Sequence, residues 1–296
     1  MKSIISNSEN NYYLEYSINK RLIKNKNRYF IYFAILLSIA IFSFIFGFHI
    51  GKKEKNNKIM KFDKNPTFNQ ELSNFISYSE YFEDLILFCI FYDVKNGFYI
   101  DIGANHPDFV TVTKAFYLRG WYGINIEPLP NEYLALVENR KRDINLQIGL
   151  GKAEGNETFY ELGGTSTLYK QYLKGKKTNV TKIKITTMLN VCKKYIPKNK
   201  VIQFCKIDVE GGEKNVLLGN DFEKYRPKVI CIESYFPNSP IPSHYLWEDI
   251  LLNNDYSFAY QYKVNRFYID NRIDDLRQRF ILAEKVVNIF ENNNKK

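Results

Sequence analysis

Several residue types and motifs are scarce or missing in this chain of 296 residues, which has only 3 His, 4 Cys and 2 Trp. The cysteines lack the paired spacing of a disulfide framework, and two of them lie in apolar runs that resemble strands. We therefore expect buried free thiols, a pattern that favours a reducing compartment. The four residues are Cys89, Cys192, Cys205 and Cys231.

Two ligand motifs are also absent. No Gly-x-Gly-x-x-Gly run occurs, so the chain lacks the usual cradle for the diphosphate of NAD or FAD. No Asp-x-Asp pair occurs either, which argues against a glycosyltransferase that holds a metal-bound sugar nucleotide.

The positive charge is concentrated near the start of the chain. The formal net charge is +10, but residues 1–70 contain 12 of the 42 Lys and Arg and only 4 of the 32 Asp and Glu. The rest of the chain is nearly neutral, so it lacks the basic surface that nucleic acid requires. We expect no nucleic-acid partner.

Residues 29–51 form an apolar run that contains no charged residue between Arg28 and Lys52. About 20 apolar residues are enough to cross the hydrocarbon core of a bilayer, so we predict a single transmembrane helix and a membrane localisation. A buried soluble helix and a cleaved signal peptide are the alternatives. Both flanks are basic, which leaves the orientation open. The Asn-x-Thr patterns at Asn156 and Asn179 favour a lumenal side, whereas the free thiols favour the other.

We divide the chain by composition. The predicted segments are a basic tail (1–28), the transmembrane helix (29–51), a charged linker (52–65), a catalytic domain (66–290) and a polar tail (291–296).

Within the predicted domain, short β-rich runs alternate with helical patterns, which is typical of an α/β fold with a mostly parallel sheet. Two adjacent strands near the end predict an antiparallel hairpin. A helix within residues 79–92 is expected to pack on the sheet edge. Predicted strands are Phe98–Ile102, Gly123–Ile126, Asn145–Ile148, Val201–Ile207, Val229–Glu233, Ser257–Lys263 and Arg266–Asp270. Predicted helices are Val110–Leu118, Glu132–Arg140, Glu213–Leu218 and Tyr245–Leu252, and an insertion with a short strand and a Gly-Gly turn covers residues 157–172.

The first predicted strand runs directly into Asp101-Ile-Gly103-Ala-Asn105. At the carboxyl end of a parallel strand, a glycine allows a sharp turn and a close approach of the backbone to a ligand. Asp101 and Asn105 place polar groups at the same edge. An ordinary glycine-containing turn is the alternative.

The next strand ends at Glu127, a position where a carboxylate can accept hydrogen bonds from both ribose hydroxyls of an adenosine-containing cofactor. Since the diphosphate cradle is missing, the pattern favours S-adenosylmethionine over NAD or FAD.

A third polar group lies at the end of the strand Val201–Ile207 and directly after it. Lys206, Asp208 and Glu210 alternate with apolar residues, so their side chains are expected on one side of the chain. Charged groups at a strand end need partners or a function, and we interpret the three as catalytic candidates. A structural ion pair is the alternative.

These segments together resemble the FkbM family of methyltransferases, especially members that read Asp-[Ile/Val]-Gly-Ala-Asn-His-Pro in the first motif. The resemblance extends from about residue 77 to about residue 235. Its matching segments are Glu83-Asp84, Asp101–Pro107, Arg119–Trp121, Ile126–Pro128, Asp143–Leu146, Ser166-Thr167, Lys206–Gly211 and Arg226–Ile230. Glu80, Phe82 and Gly212 depart from residues common in relatives.

The resemblance implies a class I methyltransferase fold with S-adenosylmethionine as cofactor. It places the cofactor at Asp101, Gly103, Asn105 and Glu127, and the segment Lys206–Glu210 near the transferred methyl group. It further implies a sugar, glycan or other hydroxyl-bearing small molecule as acceptor. An inactive membrane-anchored relative is the second interpretation of function, and a glycosyltransferase is the third.

Transfer of the methyl group from a sulfonium to a hydroxyl benefits from a base that takes the hydroxyl proton. Asp208 or Glu210 is the predicted base, and His106 and His244 are alternatives. No third ligand stands at a recognisable spacing from Asp208 and Glu210, so we expect no metal.

Overall fold

The computed structural model describes residues 66–273 and 275–294. The predicted basic tail, transmembrane helix and linker lie outside the described residues. Within the described part of the chain, no helix is long and apolar enough to cross a membrane.

Two β-sheets are present among the described residues, one of seven strands and one of three. The strands are β1 (Phe98–Ile102), β2 (Tyr122–Ile126), β3 (Ile144–Leu146), β4 (Gly149–Leu150), β5 (Gly155–Glu161), β6 (Asn179–Thr186), β7 (Phe204–Ile207), β8 (Val229–Glu233), β9 (Tyr256–Tyr262) and β10 (Asn265–Asp270). The large sheet has the order β3-β2-β1-β7-β8-β10-β9 and the small sheet has the order β4-β6-β5.

The large sheet is parallel from β3 to β8, and β10 pairs antiparallel with both β8 and β9. Its central strands are buried on both faces, and every residue of β1 is buried, whereas the edge strand β3 is only half-buried. The prediction of a mostly parallel sheet with a terminal antiparallel pair is confirmed.

Helices cover the large sheet on both faces. They are α1 (Pro66–Ser73), α2 (Glu83–Phe91), α3 (Lys114–Leu118), α4 (Pro130–Asn139), α5 (Met188–Tyr195), α6 (Glu213–Leu218), α7 (Glu248–Leu252) and α8 (Leu276–Asn294), and 3-10 turns cover Lys170–Leu173 and His244–Leu246. On one face, α2 and α8 share an apolar core with sheet residues such as Phe204 and Phe267. On the other face, α5, α6 and α7 pack on residues such as Ile100 and Ile207.

The prediction that the helix within residues 79–92 packs on the sheet edge is wrong. All nine residues of α2 are buried, and they share a core with β1, β7, β8 and α8. Residues 85–91 of α2 are apolar on every side and require cover all round, which the position between the sheet face and α8 provides.

Several predicted boundaries move by a few residues. The strand predicted at Val201–Ile207 begins at Phe204, and the helix predicted at Val110–Leu118 begins only at Lys114. Val110 has a left-handed backbone conformation with φ 52°, which a helix does not allow. Helix α8 extends to Asn294 and so includes the first residues of the predicted polar tail.

Candidate active site

A cavity of about 340 Å³ lies at the carboxyl ends of β1, β2, β7 and β8. Within the sheet, β2 and β3 are added on one side of β1, and β7 and β8 are added on its other side. Ligands of open α/β sheets bind at the point where the strand order reverses, which here lies between β1 and β7. The cavity volume is within the range of about 300 to 1,000 Å³ typical of small-molecule sites.

Gly103 lies at the turn after β1, with φ +77°, a conformation that favours glycine. Its main-chain N–H donates to the carbonyl of Ile126 over 3.0 Å. A Cβ atom at this position would lie 1.8 Å from the carbonyl oxygen of Asp208. The glycine therefore permits a close approach of the β7 chain, in addition to lining the cavity.

Glu127 follows β2 and is buried, with 5% of its surface exposed. One carboxylate oxygen accepts from the main-chain N–H of Asn105 and the other from that of Leu129, each over 2.8 Å. Burial raises the pKa of Glu127 to about 7, although the two main-chain donors act in the opposite direction. Each oxygen keeps a second lone pair, so the carboxylate can also accept from two ligand hydroxyls.

Asp101 does not line the cavity. It is 1% exposed, and it accepts a 2.9 Å hydrogen bond from Thr113 Oγ1. Among the described residues its Oδ1 has no hydrogen-bond partner, and it lies 3.9 Å from Lys206 Nζ. Burial raises its pKa, and the Lys206 charge acts against that rise. Of the four predicted cofactor residues, the structure thus brings Gly103, Asn105 and Glu127 to the cavity and leaves Asp101 behind it.

Lys206 connects the two central strands. Its ammonium group donates to the carbonyl of Gly103 over 3.0 Å and lies 3.2 Å from Asp208 Oδ2. Burial by itself lowers the pKa of Lys206, but the carboxylates of Asp208 and Asp101 outweigh it and raise the pKa above its ordinary value. The Lys206 ammonium group therefore stays protonated near neutral pH, where it holds Gly103 and Asp208 and does not act as a base.

Three carboxylates meet at the end of the cavity away from Glu127. Oxygens of Asp208, Glu210 and Glu233 lie within 4.8 Å of one another. Burial, together with the neighbouring acids, raises the pKa of both Glu210 and Glu233. Such oxygens can accept a proton or ligate a hard divalent cation. The sequence-based expectation of no metal did not include Glu233 in the ligand set.

More acidic groups extend this end of the cavity. Glu80 and Glu83 line it, and the carboxylate of Glu83 accepts hydrogen bonds from Asn265 Nδ2 over 2.6 Å and from the N–H of Tyr81 over 2.9 Å. Sequence reasoning did not assign Glu233 to the site, although its place at the end of a buried strand is the signal that identified Glu127. For Asn265 no such signal exists, because only the hairpin brings it there.

The predicted insertion at residues 157–172 contributes one wall of the cavity. The wall is formed by Phe159 and by loop residues 163–166 and 168. Ser166 Oγ accepts from the N–H of Leu162 over 2.8 Å and donates to the carbonyl of Gly163, which closes the turn. The insertion therefore lies beside the carboxyl ends of the strands that border the cavity.

The two histidines proposed as alternative bases lie outside the cavity lining. His106 Nδ1 accepts a hydrogen bond from the main-chain N–H of Asp108 over 3.0 Å, and its ring lies 4.8 Å from that of Phe109. His244 lies in a 3-10 turn beside Tyr245. Burial lowers the pKa of both imidazoles.

The comparison with protein families agrees with this geometry. No curated protein matches the chain. A family model described as the methyltransferase FkbM domain matches residues 101–258, more than half of the chain. The match runs from Asp101 on β1 to Phe258 on β9, and it includes every strand end that borders the cavity. The chain therefore belongs to the FkbM methyltransferase family.

Proposed function

We propose that the chain is a membrane-anchored methyltransferase that uses S-adenosylmethionine to methylate a hydroxyl group of a sugar, a glycan or another small acceptor. Family membership supports methyl transfer. The apolar run at residues 29–51 supports the anchor, which would keep the domain beside a membrane.

The observation that carries the cofactor assignment is the position of Glu127. Its buried carboxylate is fixed by two main-chain donors, and its remaining lone pairs border the cavity. Apolar side chains of Ile126, Leu129 and Ile148 line the cavity beside it, which suits the flat faces of a purine. S-adenosylmethionine, when bound, supplies a methyl group that is already activated on a sulfonium.

The other end of the cavity fits an acceptor that donates hydrogen bonds. Lys206 is already engaged with Asp208 and Gly103, and Asn265 donates to Glu83. The carboxylate oxygens of Glu210 and Glu233 line the same end, and carboxylate oxygens accept hydrogen bonds. A hydroxyl group matches this surface because it can donate to a carboxylate and lose its proton there.

Glu210 is the best-placed base among the described residues. Asp208 is paired with Lys206, whereas Glu210 has no cationic partner within ion-pair distance among the described residues. Its raised pKa brings it closer to neutral pH, where a general base is most effective. Glu210 would take the hydroxyl proton while Lys206 holds Asp208 and the turn after β1 in place.

Titration calorimetry on the full chain in detergent tests the proposal. We expect saturable binding of S-adenosylmethionine, no binding of NADH, and at least tenfold weaker binding by Glu127→Ala. Glu138→Gln, an exposed change on α4, is the matched control. Absence of cofactor binding by folded protein would reject the methyltransferase and favour an inactive relative.

A further inference from the structure

Four aromatic side chains form a continuous row outside the cavity. The rings of Tyr169 and Tyr172 lie 5.8 Å apart, those of Tyr172 and Phe236 lie 6.1 Å apart, and those of Phe236 and Tyr245 lie 6.4 Å apart. The row, here called the aromatic strip, joins the insertion to the loop that follows β8. Tyr245, at its outer end, is 60% exposed.

The inner end of the strip adjoins the active site. A Cβ atom on Gly211 would lie 2.4 Å from Tyr172 Cε2, and one on Gly212 would lie 3.8 Å from Tyr169 Cε2. Gly211 directly follows Glu210, which lines the cavity. The strip therefore leads from the candidate base to the surface.

The charge changes sign along this path. Residues 169–178 contain four lysines and no acidic residue, and all four lysines are exposed. They are Lys170, Lys174, Lys176 and Lys177. Lys174 Nζ donates to the carbonyl of Asn238, so this basic segment lies against the loop that carries Phe236. The cavity end that borders Glu210 is acidic instead.

We propose that the aromatic strip and the adjacent lysines bind an anionic glycan acceptor, with a sugar hydroxyl in the cavity and a phosphate or carboxylate group at the lysines. This inference rests on the proposed function, since it assigns the residues that hold that function's acceptor. The acidic cavity repels the anionic group and the lysines attract it, so only one direction of entry is favourable.

The chemistry of the strip matches a sugar ring. A pyranose presents an apolar C–H face and a polar rim, and tyrosine likewise combines an apolar face with a polar tip. Aromatic rings also lose little conformational entropy on binding, because they have few rotatable bonds. Lysines are compact charges that hold a phosphate or carboxylate without demanding one geometry.

A glycan array tests this assignment with the full chain in detergent, saturated with S-adenosylhomocysteine. The probes are oligosaccharides of one backbone in neutral, uronic-acid-containing and phosphorylated forms. We expect the protein to bind an anionic form of the oligosaccharide at least tenfold more strongly than the neutral form. Preference for the phosphorylated or the uronic-acid form identifies which anion the lysines bind.

Matched variants separate the strip from general surface charge. Lys176→Glu with Lys177→Glu is expected to abolish the preference, whereas Lys193→Glu with Lys194→Glu, on exposed α5 residues, preserves it. Tyr245→Ala is expected to weaken binding to the anionic oligosaccharide about tenfold, and Tyr245→Phe is not. The proposal would be overturned if the protein bound all three oligosaccharide forms equally or bound none of them. It would also be overturned if both lysine-pair variants changed the preference equally. Calorimetric titration of S-adenosylmethionine into the same samples measures cofactor binding, and so shows separately whether the proposed function fails.

Discussion

Thr167 Oγ1 donates a 2.7 Å hydrogen bond to the main-chain carbonyl of Glu210. Thr167 is itself fixed to Tyr160 through two main-chain hydrogen bonds of 2.9 and 3.1 Å. The wall made by the insertion and the segment that carries the candidate base are therefore held in register. Neither segment can move outward without breaking this contact.

Thr167→Val keeps the shape of the buried side chain but removes both the donor to Glu210 and the acceptor of the Tyr169 N–H. Loss of the hydrogen bond to the Glu210 carbonyl alone corresponds to about a three- to tenfold effect, which we expect as the minimum fall in kcat/KM for the acceptor. Affinity for S-adenosylmethionine is expected to change less than twofold. Thr167→Ser retains the donor and serves as control. A lower cofactor affinity in Thr167→Val would show that the contact supports the whole cavity.

Cofactor binding is expected to depend on pH through Glu127. Its pKa of about 7 is above the ordinary value, so the group is partly protonated at neutral pH in the free protein. Ribose hydroxyls donate more strongly to the ionised form, so affinity should fall as pH decreases through 7, by up to about tenfold per unit. Calorimetry between pH 6 and 8 measures this, and Glu127→Gln should flatten the profile. A flat profile in the unmodified chain would exclude Glu127 as the group that titrates.

Much of this site follows from strand ends alone. Glu127 and Glu210 were predicted because the carboxyl ends of parallel strands meet at one edge, and the structure brings both to the cavity. Asp101 was assigned to the ligand by the same rule. Asp101 lies within the strand, and its side chain points towards Thr113 and Lys206 instead of into the cavity. Sequence spacing does not resolve the direction in which a side chain points.

Other features depend on contacts distant in sequence. Glu83 and Asn265 are joined by a hydrogen bond across most of the domain, and no local pattern identifies such a pair. The small sheet β4-β6-β5 was predicted only as a single short strand, although Lys182–Ile185 of β6 alternates polar and apolar residues and its Ile183 and Ile185 are buried. Helix α8 was missed altogether, and its packing on α2 explains why residues 85–91 of α2 are all apolar.

Glu210→Gln tests the base directly. We expect kcat to fall by about 10² to 10⁴, because the amide cannot take a proton, with little change in cofactor affinity. Asp208→Asn is expected to have a different signature, since it breaks the contact with Lys206 and so affects the turn at Gly103 as well. Both variants need kcat, KM and cofactor affinity measured together. Full turnover by both would remove these carboxylates from the mechanism.

Glu213 allows a test of how burial affects stability. Its side chain is 2% exposed, and one oxygen accepts from the N–H groups of Val209 and Gly211, each over 3.2 Å. Burial raises its pKa to about 7 from 4.5. Between these values the folded state binds more protons than the unfolded state, so stability from this group is lost as pH rises to about 7.

Glu213→Gln keeps the accepting oxygen and removes the cost of ionisation. We expect the variant to be more stable than the unmodified chain at pH 8, by about 1 to 3 kcal/mol, and the difference to vanish near pH 4.5. Unfolding by denaturant at both values measures this, with the exposed change Glu138→Gln as control. A variant that is less stable at pH 8 would mean that the charge, not the oxygen, holds the turn.

Gly103→Ala separates two roles of the glycine after β1. The sequence favoured close approach to a ligand, whereas the structure shows that a Cβ atom would overlap the carbonyl of Asp208 at φ +77°. We therefore expect Gly103→Ala to lose about 2 kcal/mol of stability or more even without cofactor, as a fall in Tm. Gly155→Ala, where the space is open, should stay close to the unmodified chain. A variant with unchanged Tm and lost affinity for S-adenosylmethionine would instead assign the glycine to the ligand alone, because the turn would have accommodated the methyl group without it.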